Sequence, residues 1–360
     1  MTEGSGFYHD PPLWVGGSPI DEETEELEDF DSLVEVVYQT TLPCGIDIRV
    51  TREGLFAFGF HSWELLNNPA SNTGARITGH DEKLRSELSK IVFMNAFLAL
   101  LYTNLGRYHR MMVTPELVLY LGDVDHPANI MAFRSRSLEY LTRSNDPISY
   151  NQNLSPMYDV RISERQGTVR LSDLRTTTDK LAEIMDAFPS DGLLLLDLFL
   201  RGSKAYQDHS YSSCLITNWA ITEKLLQELW AKYQVDNRIR DGKPFITGQR
   251  LKRLQDGRTY TAAIIAEILS LSSYIDDGLY IDLGNVRKAR NDWMHSLKGM
   301  IYQGDAKLAT GVCERMFMQV RKLSLKGAND SLLWGLLLVK TVFGMRSRIF
   351  SGRQLPSYTC

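Results

Sequence analysis

Hydrophobic positions change their spacing twice along this chain, and each change marks a different kind of structure. From Leu33 onward, short runs rich in Val, Ile, Thr and Phe follow one another: VEVVYQTTL, IDIRVT and LFAFGFHSW. Pro43-Cys44-Gly45 and Arg52-Glu53-Gly54 separate them and read as turns, so the pattern predicts an antiparallel meander. Leu84, Leu88, Ile91, Phe93, Phe97, Leu98 and Leu101 then recur at helical intervals and predict a long helix over 82–105. LVLYLG, IMAFRS, MYDVRIS and TVRLSDL are further strand candidates, which makes the N-terminal half α+β.

Beyond about Arg175 the strand signals nearly vanish. Ser190-Asp191 can cap a helix running through Leu200, and TNWAITEKLLQELWAKY places Trp219, Ile221, Leu225, Leu226 and Leu229 on one apolar side. DNRIRDGKPFITG is read as a polar loop before the helical segment TAAIIAEILSLSSYI. CERMFMQVRKLSL and a segment starting at Leu332 complete a bundle of five or six helices with short connections. The expected organisation is an acidic flexible arm over 1–32, an α+β domain of unknown type over 33–175 acting as sensor or regulator, and an all-α bundle with a C-terminal helix over 176–360. No repeat at solenoid spacing is present.

Composition narrows the function classes. With 43% hydrophobic and 23% charged residues, the chain has a globular composition. Its net charge of −4 gives no global basic footprint, so nucleic-acid contact has to come from local patches. The run DEETEELEDFD packs eight acidic side chains between residues 21 and 31, which favours a mobile arm. Cys44, Cys214, Cys313 and Cys360 lack a Cys-x-x-Cys spacing and read as free thiols of a reducing compartment. No basic segment followed by an apolar stretch opens the chain, so a cytoplasmic protein is expected. LLWGLLLVKTVFGM is broken by Lys340 and is shorter than the roughly 18 residues of a membrane span, so no membrane role is expected.

Most familiar chemistries find no footing. His9, His61, His80, His109, His126 and His209 stand alone, without a His-x-x-x-His or Glu-x-x-His pair, so neither a metal nor a cofactor is expected. Gly122-Asp123-Val124-Asp125 reads as a polar turn after LVLYL, because the Gly-Ser helix that accompanies metal-holding aspartates is missing. Tyr102, Arg107, Tyr108, His109 and Arg110 form a small basic-aromatic cluster, for which cations at a helix C-terminus suffice as explanation.

One segment remains, RKARNDWMHSLKG, starting at Arg287. In a helix over 285–302, Val286, Ala289, Trp293, Leu297 and Met300 form the inward stripe. Asn291 and His295 are one turn apart and lie about 160° from Trp293 at 100° per residue, which disfavours a core histidine. A solvated surface histidine and a chemical one both remain open on spacing alone. Arg290 is about 140° round from His295, yet its flexible stem can reach the imidazole's neighbourhood. A guanidinium fork matches phosphate oxygens and histidine titrates near neutral pH, so the pair suits phosphodiester chemistry.

Arg290, a polar residue directly after it and His295 after four intervening residues resemble the signature of the HEPN superfamily. VRKARNDWMHSL and the earlier TNWAITEKLLQEL are similar to its Apea-like branch. The resemblance covers about residues 190–325 and implies an HEPN-like helical bundle. It also implies a metal-independent endoribonuclease that acts as a homodimer, with two motif helices side by side. His295 would then serve as general base or acid in 2′-hydroxyl attack, and Arg290 would stabilise charge growing on phosphorus. Asn291 would orient the imidazole or hold a phosphate oxygen, while Arg287, Lys288 and Lys298 would anchor backbone phosphates. A prokaryotic defence or toxin role would follow, with an antitoxin or trigger protein as a further partner. The competing reading is a non-catalytic dimerisation module that binds a nucleotide, RNA or protein.

Overall fold

The computed structural model describes residues 4–9, 13–17, 35–61, 79–105, 110–121, 168–188, 191–296 and 300–327. Strands β3 (Val36–Thr41), β4 (Asp47–Thr51) and β5 (Leu55–Gly59) form the expected meander. Two further strands complete an antiparallel sheet of order β3-β4-β5-β1-β6, where β1 is Gly4–Tyr8 and β6 is Leu119–Leu121. Residues 4–8 therefore lie in the sheet interior, within the stretch expected to be a flexible arm. Phe7 pairs with Phe56 and stacks on it at 5.3 Å between centroids. Gly6 has to be glycine because a Cβ there would sit 2.6 Å from the Phe56 carbonyl oxygen. A second short strand, β2 (Trp14–Val15), pairs in parallel with β7 (Thr168–Val169). The acidic run 21–31 lies outside the described residues.

Helix α1 (Gly79–Leu105) lies against this sheet. Phe93 and Phe97 meet Phe58 edge to face at 5.7 and 5.6 Å, an arrangement favoured by the ring quadrupoles. Among the described residues it is the one helix long and apolar enough to cross a membrane, over Arg85–Leu105. Its apolar side chains from Ile91 to Tyr102 are instead enclosed by the sheet and by neighbouring helices.

Helix α2 (Leu171–Ala187) begins inside the stretch TVRLSDL, so only Thr168–Val169 of that candidate is strand. Asp173 in its first turn suits the positive end of the helix. The expected domain junction near residue 175 falls within α2. Helices α3 (Gly192–Gln207), α4 (Tyr211–Asp236), α5 (Gly248–Leu254), α6 (Ala262–Leu271), α7 (Asp277–Ser296) and α8 (Gln303–Arg321) follow. Trp219, Ile221, Leu225, Leu226 and Leu229 are all buried on α4, as their spacing predicts. IMAFRS, MYDVRIS and the Leu332 segment lie outside the described residues.

The two halves share one core, which runs from Phe7 through Phe97 and Phe199 to Phe317. At the junction between α1 and α3, buried Asn95 donates to Asp197 at 2.8 Å, and its oxygen accepts the Val113 N–H at 2.7 Å. Within the bundle α4 and α8 run the same way, since Cys214 lies beside Thr310 while Glu228 pairs with Arg321. Helix α7 runs against them, with Asp282 paired to Arg315 and the Tyr274 carbonyl held by Gln319.

The segment 236–248, read above as a loop, holds a β-hairpin. Strands β8 (Ile239–Arg240) and β9 (Lys243–Pro244) flank Asp241 and Gly242, whose φ angles of 51° and 73° are those of a two-residue mirror-image turn. Trp230 Nε1 donates to the Leu254 carbonyl at 3.0 Å, and the Trp230 ring stacks on Tyr260, so the arm leaves the bundle from an aromatic base.

Candidate functional site

Helix α7 carries the Arg290-to-His295 motif on its last two turns. Leu279, Leu283 and Val286 are buried and define its inward line. At 100° per residue, Ile281, Gly284, Lys288, Asn291 and His295 fall on the opposite side within an arc of about 80°. Lys288 and His295 are exposed there and Asn291 is half-buried, so the imidazole stands clear of the core as its spacing predicts. The inward stripe is shorter than expected: Ala289 and Trp293 are only half-buried, and the helix ends at Ser296. Met300 lies beyond that end with 73% of its surface exposed, so it is no part of the stripe. Leu297 and Lys298 lie outside the described residues.

Arg290 takes a different side. It continues the inward line of Leu283 by two turns, is half-buried, and donates from Nη1 to Asn291 Oδ1 at 2.8 Å. The structure thus ties Asn291 to the guanidinium, which orients a positive group toward the edge of the histidine face. Asn291 stands on the helix between Arg290 and His295, which the helix itself sets about 140° apart.

Arg287 lines a cavity of ≈ 230 Å³ between α4, α6 and α7. Trp219, Leu226, Ala266, Tyr280 and Gly284 form much of its wall. Sequence spacing had assigned Trp219 to the core alone, and nothing in the sequence singled out Tyr280. Tyr280 and Ile281 remain 37% and 58% exposed at this face, so α7 presents apolar surface beside its cations.

Other candidates have structural duties. Tyr102 is buried, its hydroxyl hydrogen-bonded to His9 Nε2 at 2.6 Å and accepting the Met111 N–H at 2.9 Å. Arg110 is also buried and donates to the carbonyls of Lys326 and Gly327. These two residues of the basic-aromatic cluster therefore clamp the fold; Arg107, Tyr108 and His109 lie outside the described residues, as does Gly122-Asp123-Val124-Asp125. Among the described residues no three His, Cys, Asp or Glu side chains gather as a metal-binding set. Cys214 and Cys313 are buried, and burial pushes both thiols up, away from the reactive thiolate.

Arg321, 3% exposed, bonds Asp191 at 2.8 Å and Glu228 at 2.7 Å and lies 3.9 Å over the Phe188 ring. Burial alone would raise the Asp191 carboxyl, but hydrogen bonds from Arg321 and Lys224 more than offset it and hold it below the usual carboxylate range. The bundle that carries α7 is thereby locked through α8. Comparison with protein-family models, with curated proteins and with solved structures gave no match to this chain.

Proposed function

We propose that the chain is a metal-independent endoribonuclease of HEPN type, active as a homodimer in which two α7 helices face one another across a cleft. The observation that carries this reading is the exposed His295 on a cation-bearing helix face, with Arg290 held to Asn291 at its edge. In the reaction, an imidazole takes the 2′-hydroxyl proton while that oxygen attacks phosphorus. The P–O5′ bond breaks and O5′ receives a proton. A 2′,3′-cyclic phosphate and a 5′-hydroxyl result, and the Arg290 guanidinium offsets the charge that builds on the non-bridging oxygens. Arg287 and Lys288 hold neighbouring phosphates.

The sheet half is proposed as the part that senses a trigger or restrains the nuclease, as a defence or toxin effector requires. Its support is the shared core and the Asn95–Asp197 hydrogen bond, which couple the sheet half to α3. A second reading has its own support: Tyr280 and Ile281 at the mouth of the Arg287 cavity suit a module that holds a nucleotide or partner without cleaving it.

The test is RNA incubated in excess chelator with wild type, His295→Ala and Arg290→Ala. Chelator-resistant cleavage that both substitutions abolish supports the nuclease. Intact RNA with a stable wild-type dimer supports the binding module.

A further inference from the structure

The arm over 237–258 gathers positive charge in a chain that is acidic as a whole. It holds seven cations, Arg238, Arg240, Lys243, Arg250, Lys252, Arg253 and Arg258, against Asp241 and Asp256, in a protein of net charge −4. All seven are exposed, and none forms an ion pair among the described residues. Asp256 accepts bonds from the Arg258 N–H and the Thr259 hydroxyl, so its carboxylate closes a local turn. Phe245 gathers two of the cations at one ring, Arg250 at 4.1 Å and Arg240 at 5.3 Å from its centroid. Crowding like charges on one arm makes them repel one another. A polyanion relieves that repulsion.

We propose that this arm is the docking surface for the phosphate backbone of a single-stranded RNA whose scissile segment reaches His295; that the strand is RNA rests on the nuclease reading above. Tyr274 donates to Asp236 at 2.7 Å, which fixes the start of α7 beside the root of the arm. From Asp277 to His295 the helix rises about 27 Å at 1.5 Å per residue. The exposed α7 face, with Ile281, Gly284 and Lys288, lies between the two. At roughly 3.4 Å per nucleotide of a stacked strand, about eight nucleotides bridge arm and imidazole. The arm's cations read phosphate and not sequence, so binding through it is general and salt-sensitive.

The experiment titrates a fluorescent 20-nucleotide RNA into full-length His295→Ala protein at several salt concentrations. It is repeated with Arg240→Gln, Lys243→Gln, Lys252→Gln and Arg253→Gln combined, in a protein whose circular dichroism and melting match the parent. The expected slope of log K against log salt falls by about 3, at roughly 0.7 for each phosphate no longer neutralised, with about tenfold or more weaker binding at 0.1 M salt. With His295 intact, cleavage of a six-nucleotide RNA, too short to bridge arm and imidazole, should respond to the four substitutions much less than cleavage of the 20-mer. A DNA strand that behaves like the RNA also supports backbone docking. An unchanged slope and affinity overturn the proposal, as does arm-dependent binding to polyglutamate or anionic vesicles without RNA binding. Arm-dependent RNA binding by a wild type that cleaves nothing sinks the nuclease reading alone; cleavage with no arm dependence sinks the arm alone.

Discussion

Between Ile91 and Tyr102 helix α1 buries every side chain except the half-covered Val92, whereas α7 buries chiefly one line, Leu279, Leu283 and Val286. Both are long helices in the same core. The difference teaches where chemistry can reside. A helix enclosed on all sides has each side chain committed to packing, so a change there costs stability. A helix covered on one side carries residues whose replacement leaves the fold intact, and these are free to meet a ligand.

The comparison can be broken by experiment. Phe97→Ala in α1 removes a fully buried ring packed edge to face on Phe56 and Phe58, and urea unfolding should show a loss of about 3–5 kcal/mol. Asn95→Ala leaves the Val113 N–H without its acceptor and costs about 1–3 kcal/mol in the same assay. Tyr274→Phe, just before α7, loses the exposed bond to Asp236 and should lower the urea midpoint by less than Asn95→Ala does.

Tyr274 also supplies a pH test. Burial, followed by the Asp236 carboxylate, pushes its phenol up to about 12. The folded state then holds the proton more tightly than the unfolded chain. The stability contributed is full below about pH 10 and is lost as pH rises through 12. Unfolding of wild type and Tyr274→Phe should converge over that window. His295→Ala should change stability by less than about 0.5 kcal/mol while RNA cleavage falls about 10²- to 10⁴-fold. If it destabilises as much as Asn95→Ala, the exposed-face account of α7 is wrong.

The helices were legible because their periodicity was strong. Trp219 through Leu229 on α4 and Phe93 through Leu101 on α1 announce buried faces that tertiary packing then fills. Strand β1 was not legible, because Gly-Ser-Gly-Phe-Tyr has little alternation and the acidic run that follows suggested a solvated arm. Its place depends on Gly6 approaching the Phe56 carbonyl closely, which is a long-range fact. The hairpin of the arm was missed for a different reason. Asp241-Gly242 is a strong turn signal, but the strands beside it are two residues long and polar, so no alternation marks them. At the candidate site, exposure of His295 followed from helical arithmetic. The Arg290–Asn291 hydrogen bond did not, since neighbours in sequence point in different directions on a helix and only the long guanidinium stem brings them together.

The core that runs unbroken from Phe7 to Phe317 has a practical consequence for dissecting the molecule. Severing the chain near residue 175 would cut α2 and strip the side of α3 around Asp197, which meets Asn95 of α1, of its cover. The helical half expressed by itself should then aggregate, and thermal melting of the intact chain should be a single calorimetric transition. Any event that loosens the sheet is felt, through the packing of that core, as a change in the free energy of the helices.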